Sequence, residues 1–207
     1  MAGEPGVASH WDDAYAQGET TRSWFEQQPD LSLRMLGSAG VSAADAVIDV
    51  GGGASPLAQA LLNRGFGDIT VLDLSVAGMQ YAQRRLGPRA KQVRWLTADV
   101  LTWQPERRYQ AWHDRAVFHF LTTSRQRREY THTLNAATNT NTVAVIGCFA
   151  PDGPEQCSGL LVARYSPAQL ADELGDQWRL IGQDRQEHIT PAGLIQPFTW
   201  VTLRKQA

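Results

Sequence analysis

Short apolar runs alternate along the chain with stretches of helical periodicity. The runs are rich in Val, Ile and Leu and are four to eight residues long, which is typical of strands buried on both faces. The run at 142–149 is the strongest of them, because it is β-branched and apolar on both faces. The seven predicted strands are 46–50, 69–73, 93–98, 109–113, 142–149, 178–183 and 197–203.

Helices are predicted between these strands at 56–64, 76–86, 126–137 and 167–174. Glycines end the first two of them, and Ser166 followed by Pro167 is a favourable start for the last, with Ser as cap and Pro at the first helical position. A further apolar cluster at 31–36 predicts a helix that packs on the domain. Strands alternating with helices indicate an α/β fold with a doubly wound, mostly parallel sheet covered on both faces.

The length of 207 residues fits one domain, and 43% apolar with 19% charged residues is a globular composition. No apolar run approaches the roughly 20 residues of a membrane span, so no membrane association is expected. The start of the chain lacks the basic and apolar regions of a secretory signal, and we expect a cytoplasmic protein. A net charge of −2 gives no excess of positive charge for nucleic acid, which is not an expected partner. The oligomeric state stays open.

The first predicted strand runs directly into three consecutive glycines and then a helix. Glycine lacks Cβ and accepts a positive φ, so a ligand can lie against bare backbone at Gly51, Gly52 and Gly53. In an open α/β sheet this turn lies at the usual binding crevice. Asp49 stands just before the glycines and would repel a phosphate. The loop therefore favours a cationic ligand that carries an amino group.

A dinucleotide is the alternative ligand of this loop. The G-x-G-x-x-G fingerprint fits Gly51 and Gly53, but Pro56 occupies its third glycine position. A phosphate-binding G-x-x-x-x-G-K-[ST] loop is absent from the sequence. An NAD-dependent reductase remains an alternative, which affinity for the dinucleotide would reveal.

Two further aspartates follow the next two strands. Asp73 closes the second strand, where a carboxylate can accept hydrogen bonds from both hydroxyls of a ribose. Asp99 closes the third strand, where it can take the amino group of an adenine while Val100 offers its backbone N–H. Three acidic residues at three successive strand ends, together with the glycine loop, predict one nucleoside-binding site.

This pattern resembles the class I (seven-β-strand) S-adenosylmethionine-dependent methyltransferases, over residues 45–203. The resemblance implies a Rossmann-like sheet of seven strands, mostly parallel with an antiparallel C-terminal strand. It also implies S-adenosyl-L-methionine as cofactor and S-adenosyl-L-homocysteine as product. By motif, the methionine part would contact Asp49, Gly51, Gly52 and Gly53, the ribose Asp73, Leu74 and Ser75, and the adenine Asp99 and Val100.

The polar stretch 112–121 follows the fourth strand, whose end faces the transferred methyl group in the family that the chain resembles. His113 or Asp114 could take a proton from the methyl acceptor, and His119 is a further candidate. Packed, hydrogen-bonded histidines are the alternative interpretation. The catalytic candidates are thus His113, Asp114 and His119, with His113 also a candidate for the cofactor side.

The acceptor is expected next to this stretch. Arg115 lies within it, while Phe149 and Cys157 belong to the connection after the fifth strand, which is long and rich in Gly and Pro. Cys148, Cys157, His119 and His188 match no zinc spacing, so no metal is expected.

The N-terminal segment 1–40 is predicted to form a lid in front of the 45–203 core. Trp11 in a W-D-x-x-Y stretch, followed by Trp24 and Phe25, resembles a branch of the same family that includes lysine methyltransferases acting on proteins. In that branch these residues cover the cofactor and the acceptor. That branch carries D-K-G-T after the fourth strand, whereas this chain has Asp-Arg-Ala-Val at 114–117.

The sequence therefore predicts a single-domain methyltransferase (EC 2.1.1.-) that acts on a small molecule or on a protein side chain. A protein-lysine N-methyltransferase and a cofactor-binding regulator without catalytic activity are the alternatives. Turnover would separate the enzymes from the regulator.

Overall fold

The structure, a computed structural model, describes residues 7–16 and 22–207. The predicted N-terminal lid segment falls in part on residues 1–6 and 17–21, which lie outside that range. The helices of the described part are α1 (Val7–Ala16), α2 (Asp30–Ser38), α3 (Leu57–Asn63), α4 (Val76–Leu86), α5 (Ser124–Ala136) and α6 (Pro167–Leu174). Its strands are β1 (Val47–Val50), β2 (Ile69–Asp73), β3 (Val93–Thr97), β4 (Tyr109–Arg115), β5 (Thr138–Phe149), β6 (Gln156–Cys157), β7 (Leu160–Leu161), β8 (Trp178–Ile189) and β9 (Ile195–Lys205).

Seven of these strands form one sheet in the order β3-β2-β1-β4-β5-β9-β8. Strands β1 to β5 are parallel to their neighbours in this group, whereas β9 runs antiparallel to both β5 and β8. The fold class predicted from the sequence is therefore confirmed, including the antiparallel C-terminal strand. The strand order reverses beside β1, so the carboxyl ends of β1 and β4 flank the switch point at which such sheets bind ligands.

Helices cover both faces of the sheet because successive side chains of each strand point to opposite faces. On one face, Ile48 and Trp112 pack in the same cluster as Leu134 of α5 and Leu170 of α6. On the other face, Val47 packs in a cluster with residues of α2, α3 and α4. β1 is buried along its whole length, which explains its continuous apolar sequence.

Three of the helices, α4, α5 and α6, begin at side-chain caps. The Ser75 side chain accepts a hydrogen bond from the Gly78 N–H and starts α4 directly after β2. Thr123 and Gln126 form a capping box at the start of α5, and Ser166 and Gln169 form another before α6. These caps fix where each strand-to-helix connection turns at the edge of the sheet.

The structure differs from the predicted elements mainly in length. β8 and β9 extend as a hairpin well beyond the predicted runs, because polar residues such as Gln186 and His188 continue the ladder on a partly solvated edge. The connection over 150–165 contains the short β6–β7 hairpin, and α1 covers residues that carried no strand or helix prediction. In the described residues, no helix has the length and apolarity that a membrane span would need.

Candidate functional site

A cleft encloses about 1300 Å³, open solvent included, at the carboxyl ends of β1, β2 and β4. Both the loop after β1 and the residues after β3 line it, as do α1 and the segment 22–26, which we call the strap. The cleft thus collects most of the predicted site residues from distant parts of the sequence. Those that line it are Trp11, Trp24, Phe25, Asp49, Gly51, Gly52, Asp73, Leu74, Asp99, Val100, His113, Arg115 and Cys157.

The glycine loop comes into close contact with its surroundings. Gly51 has φ +66°, and a Cβ at this position would overlap the Cγ2 atom of Val117. A Cβ on Gly53 would lie 2.7 Å from the Tyr15 hydroxyl and 3.0 Å from Asp73 Oδ2. The space that side chains would fill is therefore taken by neighbouring groups, and only bare backbone fits between β1 and α3.

Asp49 is held in a buried hydrogen-bonded chain. Its Oδ1 accepts from His113 Nδ1 at 2.7 Å, and His113 Nε2 lies 2.9 Å from the Ser32 hydroxyl of α2. All three residues are about 2% exposed. The other carboxylate oxygen of Asp49, Oδ2, is buried and has no hydrogen-bond partner among the described residues. An unpartnered carboxylate oxygen beneath the glycine loop suits a donor or a positive charge brought by a ligand.

Asp73 is the second acidic group of the cleft. Its Oδ1 accepts from the Ser75 N–H at 2.7 Å. Burial raises the pKa of this carboxyl to about 6. Hydrogen bonds from Ser75 and Gly53 lower the pKa, whereas the charges of Asp49 and Asp12 raise it further. The ionised form is therefore costly in the ligand-free protein, and a cation or a pair of hydroxyl donors would stabilise it.

Asp99 follows β3 on the same edge. Its Oδ1 accepts from the Leu101 N–H at 2.9 Å, which fixes the turn after the strand. Val100 is 4% exposed and lines the cleft beside Asp99. Asp99 thus provides a carboxylate oxygen and Val100 an apolar surface beside it, which suit the amino edge and the ring face of an adenine.

Helix α1 lies across the start of α4. Asp12 Oδ1 accepts from the Ser75 hydroxyl at 2.6 Å and from the Ala77 N–H at 3.1 Å. Tyr15 of the same helix lines the cleft and contacts the sites of Gly53 and Gly78, where a Cβ would meet its ring. Ser75 thus connects α1 to α4 and does not itself line the cleft. The W-D-x-x-Y stretch supplied the signal for these contacts, because Asp12 and Tyr15 both belong to it.

Aromatic side chains form the other half of the cleft. Trp11 packs edge-to-face on Trp24 and on Phe120, with ring centroids 5.8 Å and 5.0 Å apart. Phe25 and Leu160 complete this wall. We call this half the aromatic pocket. Phe120 and Leu160 were missed by sequence reasoning, because an apolar residue in a loop has the same pattern whether it faces a core or a ligand.

Arg115 joins β4 to the strap. Its Nη1 donates to the Trp24 carbonyl at 2.8 Å, and its guanidinium lies over the Phe198 ring at 5.2 Å. His188 of β8, whose Nδ1 lies 3.5 Å from Arg115 Nη2, binds the same segment through Nε2 and the Ser23 carbonyl at 2.7 Å. Burial, followed by the charge of Arg115, lowers the pKa of His188. The strap is therefore held against the sheet by two strands.

Cys157 lines the aromatic pocket and is 5% exposed. Burial raises the pKa of this thiol to about 11, although Ser23 and Arg115 act in the opposite direction. The side chain is thus a neutral thiol at physiological pH and not a thiolate. In residues 7–16 and 22–207, no group of three or more His, Cys, Asp or Glu side chains is arranged to hold a metal ion.

Besides Gly53 and Ser75, three predicted site residues do not line the cleft. Asp114 is fully buried beneath the turn after β4, where it accepts from the Tyr130 hydroxyl at 2.6 Å and from the Val117 N–H at 2.9 Å. Burial raises its pKa to about 6. His119 is also fully buried, which lowers its pKa to about 3, and it lies against the ring of Phe149.

These positions correct the placement that the sequence suggested for Asp114, His119 and Phe149. Each belongs to the packing behind the cleft, because Asp114 and Phe149 are fully buried residues of β4 and β5 and the turn after β4 directs His119 into the core. Asp114 still shapes the site through Val117, whose side chain closes the space beside Gly51.

Removing the His113 side chain is expected to destabilise the protein. His113→Ala loses two buried hydrogen bonds and leaves both Asp49 oxygens unpartnered, which should lower the free energy of unfolding by about 2–4 kcal/mol. Urea denaturation measures this loss, with the exposed His132→Ala of α5 as a control that should change little. An unchanged free energy of unfolding in His113→Ala would contradict this structural role and favour a direct one in the reaction.

Comparison with known proteins supports the interpretation of the cleft. Residues 47–139, which include the glycine loop and all three strand-end aspartates, match the family model described as a methyltransferase domain. A search of curated proteins found no significant match.

Solved structures share the fold over nearly the whole chain. One was reported for the conversion of a disulfide bond into a thioacetal group during echinomycin biosynthesis. It is 21% identical to this chain with a TM-score of 0.76, and the match covers 97% of this chain and 92% of that protein. A 1,6-didemethyltoxoflavin N1-methyltransferase from Burkholderia thailandensis is 19% identical with a TM-score of 0.72, covering 97% and 85%. The N-methyltransferase NodS from Bradyrhizobium japonicum is 13% identical with a TM-score of 0.71, covering 95% and 98%.

Residues 47–139 thus resemble a methyltransferase domain, and solved methyltransferases share the fold of nearly the whole chain. The cleft fits S-adenosyl-L-methionine in two respects. Its glycine loop leaves no room for side chains, and Asp49 holds a buried oxygen without a partner. When bound, the cofactor supplies an electrophilic methyl group on a positively charged sulfur.

Proposed function

We propose that this protein transfers a methyl group from S-adenosyl-L-methionine to a small-molecule acceptor (EC 2.1.1.-). The observation that carries the proposal is one continuous cleft, in which the glycine loop and three carboxylates form one half and the aromatic pocket forms the other. The first half suits a cationic nucleoside and the second an apolar, ring-containing acceptor.

The cofactor half assigns roles to the residues that line it. Asp73 and Leu74 would hold the ribose, and Asp99 and Val100 the adenine. The backbone at 51–53 would hold the methionine part next to Asp49. Ser75 would act indirectly, because it orients Asp73 through its N–H and anchors α1 through its hydroxyl.

A small acceptor is favoured over a protein side chain by the cover of the cleft. Trp11 of α1 and Trp24 of the strap pack against each other above the carboxyl ends of the strands. Water is excluded and the acceptor is enclosed when such walls are in place, which methyl transfer by in-line displacement requires. The printed names of two structural neighbours, which act on didemethyltoxoflavin and in echinomycin biosynthesis, are consistent with a small acceptor. The cytoplasmic location expected from the sequence stays a prediction.

Ligand binding and label transfer test the proposal in sequence. We expect S-adenosyl-L-homocysteine at 100 times its dissociation constant to stabilise the protein by about 2.7 kcal/mol, and NAD to have no such effect. Incubation with cofactor labelled in its methyl group, first with a low-mass filtrate of cell extract and then with its proteins, reveals the acceptor. We expect label in the filtrate.

Each other outcome selects a different function. Label in protein lysine would establish the protein-lysine methyltransferase instead. Cofactor binding without label in either pool would establish the regulator. Stabilisation by NAD alone would favour the reductase and reject the proposal.

A further inference from the structure

The acceptor half of the cleft holds one carboxylate that no sequence motif indicated. Of the four carboxylates that line the cleft in the described part of the chain, three follow or lie in β1, β2 and β3 on the cofactor side. The fourth, Glu26, lies in the strap directly after Trp24 and Phe25. Its side chain is 13% exposed, so it faces the cleft and little bulk solvent.

Glu26 is held in a defined position from two strands. Gln186 of β8 donates from Nε2 to its Oε1 at 3.1 Å. Arg115 of β4 lies on the other side, with Nε 3.7 Å from Oε2, and this separation is too long for a hydrogen bond. Oε1 is therefore engaged by Gln186, while Oε2 has a charge beside it and can still accept a hydrogen bond from a ligand.

Four other polar side chains near the acceptor half offer no free base to a bound acceptor. Both ring nitrogens of His113 are used, by Asp49 and by Ser32. Cys157 is a neutral thiol, since burial raises its pKa to about 11. Arg115 is permanently protonated and can only donate. His188 faces the strap carbonyl of Ser23 and does not line the cleft.

A carboxylate among aromatic rings favours ligands of one charge type. Trp11, Trp24 and Phe25 present ring faces and edges that attract cations, and Glu26 adds a negative charge at the rim of the same pocket. The terminal nitrogens of Arg115 are engaged by the Trp24 carbonyl and by His188. At Glu26 Oε2, a carboxylate on the acceptor would therefore be repelled, whereas an ammonium group or an N–H would be bound.

We propose that Glu26 is the catalytic residue that binds and deprotonates the acceptor, and that this acceptor is a small amine or N–H compound with an aromatic body. The inference rests on the proposed function and names its substrate class. A bond forms between the acceptor nitrogen and the methyl carbon, the carbon–sulfur bond breaks with its electron pair left on sulfur, and the nitrogen's proton passes to Glu26. Arg115 is a positioning residue, because it holds the strap through the Trp24 carbonyl.

Binding of simple probes tests the inference without turnover. We expect protein saturated with S-adenosyl-L-homocysteine to bind phenethylamine at least tenfold more tightly than 3-phenylpropionate, measured by calorimetry. Glu26→Gln keeps the shape of the side chain and removes its charge, and should lower the affinity for phenethylamine at least tenfold. Glu129→Gln on α5, where the carboxylate pairs with the exposed Arg125, is the matched control and should retain the preference.

Turnover with the labelled acceptor isolated from the filtrate provides the second measurement. Glu26→Gln should lower kcat by about 10²- to 10⁴-fold, the usual contribution of a general base, and should change the affinity for S-adenosyl-L-homocysteine less than twofold. The isolated product should carry its new methyl group on nitrogen.

Contrary results separate the two proposals. Tighter binding of 3-phenylpropionate, no binding of phenethylamine at millimolar concentration, or a Glu26→Gln variant with unchanged kcat would overturn the role of Glu26 while cofactor binding persists. A methyl group found on oxygen, sulfur or carbon would overturn the substrate class. Failure of the wild-type protein to bind S-adenosyl-L-homocysteine would instead overturn the proposed function.

Discussion

Gly51→Ala is expected to abolish cofactor binding and to lower the free energy of unfolding by about 2–5 kcal/mol. Two costs add at this position. The φ of +66° places an alanine in the left-handed region, which costs of order 1–3 kcal/mol, and the new Cβ would overlap Val117 Cγ2. The backbone must shift to relieve the overlap, and the surface on which the cofactor would lie shifts with it.

Two further variants separate these costs for Gly51. Val117→Ala removes the overlapping methyl group, so the double variant Gly51→Ala/Val117→Ala should recover part of the lost stability but not the part due to φ. Gly67→Ala is the control, because a Cβ there meets nothing within 4 Å. Urea denaturation and calorimetry with S-adenosyl-L-homocysteine measure the two effects. Normal cofactor affinity in Gly51→Ala would remove the glycine loop from the site.

Asp73→Asn is expected to weaken the binding of S-adenosyl-L-homocysteine by about 10- to 100-fold and to stabilise the ligand-free protein. The loss of affinity follows because hydrogen bonds from ribose hydroxyls to a carboxylate contribute about 1.5–3 kcal/mol each, roughly twice as much as those to a neutral amide. The gain in stability follows because burial raises the pKa of Asp73 to about 6.

The pH dependence of Asp73 has a definite sign. The folded protein keeps the Asp73 proton up to about pH 6, whereas the unfolded chain releases it near the ordinary value of 3.8. The contribution of this group to stability is therefore lost as pH rises from about 4 to 6, by about 1–3 kcal/mol. Asp73→Asn lacks this loss, so its advantage over the wild type should grow across that window and persist at pH 7.

Denaturation of both proteins at pH 4 and pH 7 measures the difference for Asp73. Asp172→Asn, at an exposed position in α6, controls for the loss of one negative charge. Affinity for S-adenosyl-L-homocysteine in the wild type should also increase with pH through about 6, as Asp73 ionises. Equal affinity in Asp73→Asn and the wild type would show that the ribose is held elsewhere.

Asp49 illustrates how far local sequence could define the site. Its place before three glycines predicted a carboxylate at the crevice, and the structure places it in the wall of the cleft. Its partner His113 lies on β4, 64 residues further along the chain. His113 in turn contacts Ser32 of α2, which lies 81 residues before it. No spacing rule relates such positions, because the distance between them depends on how the sheet is ordered and where α2 packs.

Asp114 and His119 show the opposite case. Both lie in a polar stretch at the end of a strand, and the same pattern occurs whether the side chains face a ligand or the core. Asp114 lies in β4 between His113 and Arg115, which line the cleft, so the alternation of side chains along the strand points it to the opposite face. The turn at 118–120 directs His119 inward. The direction of a side chain after a strand depends on backbone dihedrals that the residue types leave open.

The sequence by itself determined the class of fold, the glycine loop and the three aspartates at strand ends, because hydrophobic period and glycine content act locally. Only the tertiary structure decided which polar groups share the cleft. It brought Glu26 beside Arg115, placed α1 over α4 through Asp12, and buried Asp114 behind Val117. These relations depend on packing between elements distant in sequence, and burial and charge at each position follow from that packing alone.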